Sequence, residues 1–224
     1  INNQLKENDL DYSFDYDDLK EKLKDKARSL SRAKALILCN PHNPVGRVWS
    51  KEELKELGEI CIKNDLKIIS DEIHSDFIYD NNKHIPIASI NKDFRENTIT
   101  FMAPSKSFNI AGLNSSFAII PNKKLRKEFE VNKNGLVGSG NIFGLVAMKA
   151  AYSKGEEWLE EQLDYLEENR DYAVDYINNE ISGIKTKKIE GSYLLWLDCR
   201  DLNLKQEELK DLFINEAKLA LDPG

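Results

Sequence analysis

The sequence contains few cysteines, and their spacing does not indicate a disulfide or zinc site. Cys39, Cys61 and Cys199 lie far apart along the 224 residues and form no CxxC pair. Zinc sites commonly use such pairs, and disulfide frameworks of small secreted proteins use an even number of cysteines. We therefore expect neither kind of site, and we expect a protein of the reducing cytoplasm.

Long apolar runs and clusters of positive charge are missing as well. No run of ~18 apolar residues is available to span a membrane, and the start of the chain lacks a signal-peptide pattern. The formal net charge is -7, and no group of lysines and arginines is interleaved with aromatic residues. We expect neither a membrane nor a nucleic acid as a partner. The three histidines have neither HxH nor HxxxH spacing, so no metal site is expected.

The composition is that of a globular protein with a sizeable core. Hydrophobic residues make up 41% of the chain and charged residues 32%, with both signs mixed throughout. This mixture favours solvated helix faces over disorder. The sequence begins at Ile1 rather than at methionine, and it ends in the turn-forming residues 222–224. We expect a piece of a longer protein.

Short apolar runs alternate with helical patterns along most of the chain. Strands are predicted at residues 35–39, 67–70, 98–102, 116–120 and 193–197. Helices are predicted at residues 15–27, 50–64, 123–131, 145–152, 155–180 and 206–219. The second of these helices opens on a capping box that begins at Ser50. The alternation predicts an α/β architecture with a mainly parallel sheet, and we expect a domain boundary at about residue 160.

Polar residues follow the first three predicted strands. Asn43 comes shortly after the first strand, Asp71 directly after the second, and Lys106 shortly after the third. Ligands of open α/β sheets bind beyond the carboxyl ends of the strands, where these residues can meet. Taken singly, each has a simpler interpretation, since lysine is commonly solvated, aspartate often caps a helix, and asparagine often forms a turn.

Together the three side chains match the needs of pyridoxal phosphate. A lysine amine can form a Schiff base with the aldehyde of this cofactor. An aspartate such as Asp71, if buried, would keep the pyridine nitrogen protonated, which makes the ring a better electron sink. The amide of Asn43 can donate a hydrogen bond to the phenolate oxygen.

The sequences around these residues resemble those of class I/II aminotransferase-like enzymes. Residues 40–46 (NPHNPVG) resemble the asparagine–proline motif of that family, and residues 71–74 (DEIH) resemble its aspartate–glutamate segment. Residues 103–113 (APSKSFNIAGL) resemble its cofactor-lysine loop. The three motifs follow the order of the family, and the resemblance covers essentially the whole chain.

The resemblance implies both a fold and a set of site residues. Lys106 would be the Schiff-base lysine, Asp71 the partner of the pyridine nitrogen, Asn43 the partner of the phenolate oxygen, and Ser105 a phosphate contact. The implied architecture is fold type I, with a mainly parallel sheet and helices on both faces. Residues 1–160 would be the second half of the cofactor-binding large domain, and residues 161–224 part of a small α+β C-terminal domain. Such enzymes are usually homodimers, so we expect a homodimer at full length.

Several departures from the common pattern narrow the resemblance. Many class I/II enzymes have tyrosine three residues after the aspartate, arginine eight residues after the lysine, and a hydroxyl residue three before it. This sequence has His74, Asn114 and Ala103 at those positions. Together with residues 191–198 (GSYLLWLD), they resemble the MalY/PatB-type cystathionine β-lyase branch. By this resemblance, His74 is expected to contact the cofactor ring.

Two aromatic residues and two histidines are predicted to have structural roles. Tyr193 and Trp196 are predicted to lie in the core of the small domain, and His42 and His84 are predicted to be structural or peripheral. By the resemblance, the residues that stack on the cofactor ring and the arginine that binds the substrate carboxylate lie outside this sequence.

The branch implies a carbon–sulfur β-lyase. Such an enzyme cleaves L-cystathionine or related cysteine S-conjugates to a thiol, pyruvate and ammonia, with Lys106 removing the Cα proton as general base. A class I/II aminotransferase is the main alternative, because both reactions share their first steps. A non-catalytic regulator that retains the fold is a second. A nicotinamide enzyme is disfavoured, because the glycines between residues 138 and 144 lack the GxGxxG spacing.

Overall fold

The computed structural model describes residues 2–24, 33–138 and 140–222. It begins with a short antiparallel hairpin of β1 (Lys6–Asn8) and β2 (Asp11–Ser13), which is followed by α1 (Tyr16–Lys24). The helix predicted at residues 15–27 is confirmed as far as Lys24, and the last three residues of that prediction lie outside the described residues.

A four-stranded sheet forms the centre of the fold. Its strands β3 (Ala35–Cys39), β4 (Lys67–Asp71), β5 (Thr98–Met102) and β6 (Phe117–Ile119) are hydrogen-bonded in that order. The first three are parallel and β6 is antiparallel, so the predicted mainly parallel sheet is confirmed. The parallel strands are connected through α2 (Lys51–Lys63) and α3 (Lys92–Asn97), which makes this part of the chain an α/β layer.

One face of the sheet carries the main core. Leu54 and Leu57 of α2 pack with Ile68 of β4 and Phe94 of α3, and all four side chains are buried. Gly58 permits this packing, because a Cβ at that position would overlap the ring of Phe94. The predicted capping box at the start of α2 is confirmed. The Glu53 N–H donates to Ser50 Oγ, and the Ser50 N–H donates to a Glu53 carboxylate oxygen.

The other face of the sheet is covered only in part. Phe129 of α4 (Lys123–Lys133) packs against Phe101 of β5, with 5.9 Å between ring centroids. At the β3 end of the same face, the side chain of Ile37 is 77% exposed. Helices therefore lie on both faces of the sheet, as predicted. Within the described residues, however, helices cover only one of the two faces completely.

The C-terminal part continues with α5 (Ile142–Lys154) and α6 (Glu156–Glu180). A two-residue antiparallel ladder joins β7 (Lys185–Thr186) to β8 (Leu197–Asp198). The last helix, α7 (Gln206–Asp211), continues as a π-helical turn over Leu212–Glu216, so the helix predicted to residue 219 ends earlier. No described helix is long and apolar enough to cross a membrane. The predicted domain boundary near residue 160 falls inside α6 and stays a prediction.

The strand predicted at residues 193–197 is wrong except at its last residue, Leu197. The cause is the backbone at Ser192, where φ is +72°. The Ser192 N–H donates to Phe77 O at 3.0 Å, so the chain bends toward the segment after β4 instead of extending along a neighbouring strand.

Candidate active site

The ends of β3 and β4 bring Asn43 and Asp71 to one edge of the sheet. Cys39 is the direct neighbour of Asp71 in the ladder, and the Asn40 N–H donates to Asp71 O at 3.0 Å. Cys39 Sγ accepts the Asn43 N–H at 3.3 Å. Burial raises the pKa of the Cys39 thiol, and the charge of Asp71 raises it further against the opposing Asn43 hydrogen bond. The neutral thiol donates to Pro41 O at 3.3 Å and so holds the loop that carries Asn43.

This loop closes through a tight turn at Gly46. The Gly46 N–H donates to His42 O, and the His42 N–H donates to Arg47 O, both at 2.8 Å. Gly46 has φ +69°, a left-handed conformation that glycine adopts without strain. A Cβ there would also overlap the side chain of Ile189, so the close approach of these two segments requires glycine.

Arg47 fastens the same loop to distant parts of the chain. Its guanidinium donates to both carboxylate oxygens of Glu53 at 3.0 and 3.1 Å, and to Glu190 Oε2 at 3.1 Å. It also donates to Tyr12 O of β2 at 2.9 Å. These charge-assisted hydrogen bonds connect the Asn43 loop with α2, the N-terminal hairpin and the segment before residue 191.

A buried carboxylate anchors the chain directly after Asp71. Glu72 accepts a hydrogen bond from Ser70 Oγ at 2.8 Å and lies 2.8 Å from His84 Nε2. The Glu72 N–H donates to Phe101 O at 3.0 Å, which extends the β4–β5 ladder beyond Asp71. His84, predicted to be structural or peripheral, therefore supports the backbone beside a candidate site residue.

The segment that carries Ser105 and Lys106 is held from two sides. Within it, the Phe108 N–H donates to Pro104 O at 3.0 Å and the Ile110 N–H donates to Ser105 O at 3.1 Å. Toward the β4 side, Ser107 Oγ donates to Asp76 Oδ2 at 2.6 Å. Toward α6, the ring of Phe108 stacks on that of Trp158 with 5.8 Å between centroids. Ser105 is half-buried in this turn.

His74 brings the two charged candidates into one cluster. It is buried three residues after Asp71, and its pKa is lowered by burial and by the positive charge of Lys106. The negative charge of Asp71 acts in the opposite direction. The imidazole is therefore neutral near pH 7.

Tyr193 joins this cluster, although it was predicted to lie in the core of the small domain. Its ring centroid lies 6.0 Å from Lys106 Nζ, 5.4 Å from the ring of His74 and 5.1 Å from that of Phe77. The bend at Ser192 brings it there, and no spacing rule in the sequence signals that contact. Trp196 is half-buried away from the cluster, beside Tyr12 and Gly46.

Asn43, Asp71 and Lys106 are exposed, so the burial considered for Asp71 is not found within the described residues. Within the described residues, the carboxyl edge of the sheet carries no element that covers them. Asp71 accepts the Ile73 N–H at 3.2 Å and otherwise faces outward. The arrangement presents an amine, a carboxylate and an amide along one open edge. Asn114 lies at a left-handed turn, with φ +48°.

Comparisons of the sequence point to one family. A model of the family described as aminotransferase class I and II matches residues 5–224. Cystathionine beta-lyase PatB of Bacillus subtilis (strain 168) is 43% identical over 226 residues, which cover 100% of this chain and 57% of that protein. Protein MalY of Escherichia coli (strain K12) is 34% identical over 193 residues, with 85% and 49% covered. The chain spans about half the length of the curated relatives it matches.

Solved structures show the same architecture. Cystalysin from Treponema denticola, which contains a pyridoxal 5'-phosphate cofactor, superposes with a TM-score of 0.92 at 36% identity, covering 99% of this chain and 55% of that one. The PLP-bound C-S lyase from Staphylococcus hominis gives 0.89 at 36% identity, covering 100% and 56%. N-succinyldiaminopimelate aminotransferase from Mycobacterium tuberculosis gives 0.81 at 26% identity, covering 96% and 54%.

Proposed function

The chain belongs to the aminotransferase class I and II family, and we propose that its full-length protein is a pyridoxal-phosphate-dependent carbon–sulfur β-lyase. The proposed reaction cleaves L-cystathionine or a related cysteine S-conjugate to a thiol, pyruvate and ammonia. The observation that carries this proposal is the position of Lys106, His74 and Asp71 at the carboxyl edge of a fold-type I sheet. There the Tyr193 ring lies 6.0 Å from Lys106 Nζ and 5.4 Å from the His74 ring. The similarity to a cystathionine β-lyase over the whole chain supports the choice of reaction.

The side chains at this edge fit the proposed cofactor. Within the described residues, the Lys106 amine and the side-chain amide of Asn43 have no hydrogen-bond partner, and the Asp71 side chain accepts only one backbone N–H. An amine, an amide donor and a carboxylate are the groups that an aldehyde, a phenolate oxygen and a pyridine nitrogen require. When bound, pyridoxal phosphate supplies the electron sink that stabilises negative charge at the substrate Cα.

Each residue then has a role of its own. Lys106 would hold the cofactor through its Nζ, and the same atom, when free, would accept the substrate Cα proton as general base. Asp71 would keep a proton on the ring nitrogen through the charge of its carboxylate. Asn43 would donate to the phenolate oxygen, Ser105 would contact the phosphate, and His74 would contact the ring as a neutral imidazole.

An aminotransferase of class I/II is the second candidate. It is favoured by the fold shared with N-succinyldiaminopimelate aminotransferase. Lys106, Asp71 and Asn43 would serve both reactions equally, because the two reactions share their first steps, including proton removal from Cα. The higher sequence identity to the β-lyase relatives supports elimination as the first candidate reaction.

We further propose that the full-length protein is a cytoplasmic homodimer that acts on a small amino-acid substrate. The dimer is supported by apolar side chains at the start of α5 and before it, since large exposed apolar patches mark interfaces. Leu136 and Phe143 are 83% and 76% exposed there.

The test is pyruvate release from L-cystathionine by the full-length protein supplied with pyridoxal phosphate. We expect release by the native protein and by Lys127→Ala, a matched change on the exposed face of α4. Lys106→Ala should abolish release, and near-native turnover by that variant would refute the assignment. Absence of pyruvate together with amino-group transfer to a keto acid would establish the aminotransferase instead.

A further inference from the structure

The segment 190–193 packs against the chain that follows β4 and reaches the back of His74. The Tyr79 N–H donates to Glu190 O, and the Ser192 N–H donates to Phe77 O, both at 3.0 Å. These bonds place Ser192 Oγ 3.3 Å from His74 Nδ1. Both side chains are buried, with 0% of Ser192 and 2% of His74 exposed.

The backbone of Ser192 is in a conformation that serine rarely adopts. Its φ of +72° lies in the left-handed region, where a residue with a Cβ is strained and glycine is not. A glycine would fit the same turn without this strain. The hydroxyl group is therefore the feature that serine adds at this position. Strained residues of this kind are concentrated at functional sites.

The hydrogen-bond balance determines which ring nitrogen of His74 carries the proton. A neutral imidazole has one N–H donor and one bare acceptor nitrogen. If Nδ1 is the acceptor, the Ser192 hydroxyl donates to it and both groups are satisfied. If Nδ1 carries the proton, the hydroxyl hydrogen has no acceptor within the described residues, and a buried donor is left unsatisfied. That tautomer is then disfavoured by a factor of about 5 to 150.

We propose that Ser192 is a positioning residue that fixes His74 in the tautomer with its proton on Nε2. His74 then presents an N–H donor, which is the form that can bind an anionic oxygen. That such an oxygen belongs to the bound cofactor rests on the proposed function, whereas the tautomer itself does not. Burial and the nearby charge of Lys106 keep the pKa of His74 low, so the neutral ring is the relevant form.

The tautomer can be read directly from the ring nitrogens. The intact protein is labelled with 15N-histidine, and long-range 1H–15N spectra are recorded without and with added pyridoxal phosphate. His74→Gln identifies the His74 signals by their loss. In the native protein we expect the 15N chemical shift of Nδ1 to be that of an unprotonated nitrogen. The 15N chemical shift of Nε2 should be that of a protonated nitrogen. A native spectrum with the proton on Nδ1 would overturn the proposal.

Two variants separate the hydroxyl from the backbone. Ser192→Gly removes the hydroxyl and tolerates the positive φ, whereas Ser192→Ala removes the hydroxyl and keeps the strain. We expect the two His74 15N shifts to converge in both variants, because the tautomer ratio should fall by a factor of about 5 to 150. The signals of His42 and His84 should stay in place, which reports an intact fold. Unchanged His74 15N shifts in Ser192→Gly would overturn the proposal. This holds even if the shifts change in Ser192→Ala, because that variant also keeps the backbone strain.

The cofactor supplies an independent measurement. We expect Ser192→Gly to weaken pyridoxal phosphate binding and to change its absorption spectrum, because the orientation of the His74 donor is lost. A native protein that binds no cofactor would contradict the proposed function, and the tautomer would still be decided by the nitrogen shifts alone. Native cofactor affinity and spectrum in Ser192→Gly would contradict the positioning role.

Discussion

Glu72 Oε2 lies 2.8 Å from His84 Nε2 in the interior of the protein, one residue after Asp71. The Glu72 side chain is 1% exposed, and its other oxygen accepts the hydroxyl of Ser70 at 2.8 Å. Each of the two carboxylate oxygens therefore has a hydrogen-bonding partner. The pair fixes the backbone at the point where Asp71 leaves β4, and it connects this point to the loop that contains residue 84.

Removal of this carboxylate should be costly. We expect Glu72→Ala to lower the free energy of unfolding by about 2–4 kcal/mol, because His84 and Ser70 lose a buried partner. Urea denaturation of the intact protein measures the loss. Glu56→Ala is the matched control, since Glu56 pairs with Lys20 at 3.0 Å on the surface and should cost less than about 1 kcal/mol. Equal losses in the two variants would contradict the role given to Glu72.

Gly46 should tolerate no side chain. Gly46→Ala places a methyl group against Ile189 and forces alanine to φ +69°. We expect a loss of about 1–3 kcal/mol in unfolding free energy and weaker cofactor binding, because the loop that carries Asn43 must shift. Gly112→Ala is the control, since a Cβ at Gly112 meets nothing within 4 Å. A Gly46→Ala protein as stable as the Gly112→Ala protein would show that the turn is adaptable.

His42 should make the protein less stable in mild acid. Burial lowers its pKa from 6.5 to about 4. Between these values the unfolded chain binds a proton that the folded ring does not, so stability falls as pH decreases through this window, by up to about 3 kcal/mol. Asp198 acts in a separate window below pH 3.8, because hydrogen bonds from Arg200 lower its pKa to about 2.

The measurement is urea denaturation at a series of pH values from 7.5 to 4. His42→Phe keeps an aromatic ring against Trp49, whose centroid lies 5.8 Å away, and removes the titrating group. We expect this variant to show a shallower fall of stability over the window. His74 has a lowered pKa as well, so part of the slope should remain. An identical slope in both proteins would show that His42 is protonated in the folded state.

Local patterns in the sequence correctly predict much of the fold. The run at residues 35–39 and the capping box at Ser50 each depend on neighbouring residues alone, and both elements occur as predicted. The positions of Asn43, Asp71 and Lys106 after successive strands follow from the same local rules, because parallel strands end at a common edge.

Contacts between distant segments could not be predicted in this way. Ser192 and His74 are separated by 118 residues, and their contact depends on a left-handed backbone that a serine does not signal. The strand predicted at residues 193–197 failed for the same reason, since hydrophobic alternation does not reveal a bend at the preceding residue. The exposure of Asp71 depends on which elements cover the sheet edge, and the local pattern of β4 carries no information about that.

Tyr193 should influence which substrates react. Its ring lies 6.0 Å from Lys106 Nζ and the residue is 38% exposed, so a substrate that approaches the amine also comes close to the ring. A thioether sulfur gains about 0.3–1.5 kcal/mol from contact with an aromatic ring, which corresponds to a factor of up to about ten in kcat/KM. We expect Tyr193→Leu to lose this factor on cysteine S-conjugates, and Tyr193→Phe to retain it.

The comparison needs a substrate without sulfur and a control tyrosine. O-acetylserine undergoes the same elimination with an oxygen leaving group, so its kcat/KM should change less than that of the thioether substrates in Tyr193→Leu. Tyr176→Leu on α6 is the control, because Tyr176 stacks on Tyr172, with 5.9 Å between the ring centroids, and stands outside the Lys106 cluster. If Tyr193→Leu slows both substrates equally, the ring positions Lys106 or His74 and does not select the sulfur, since a general distortion of the amine would affect every leaving group alike.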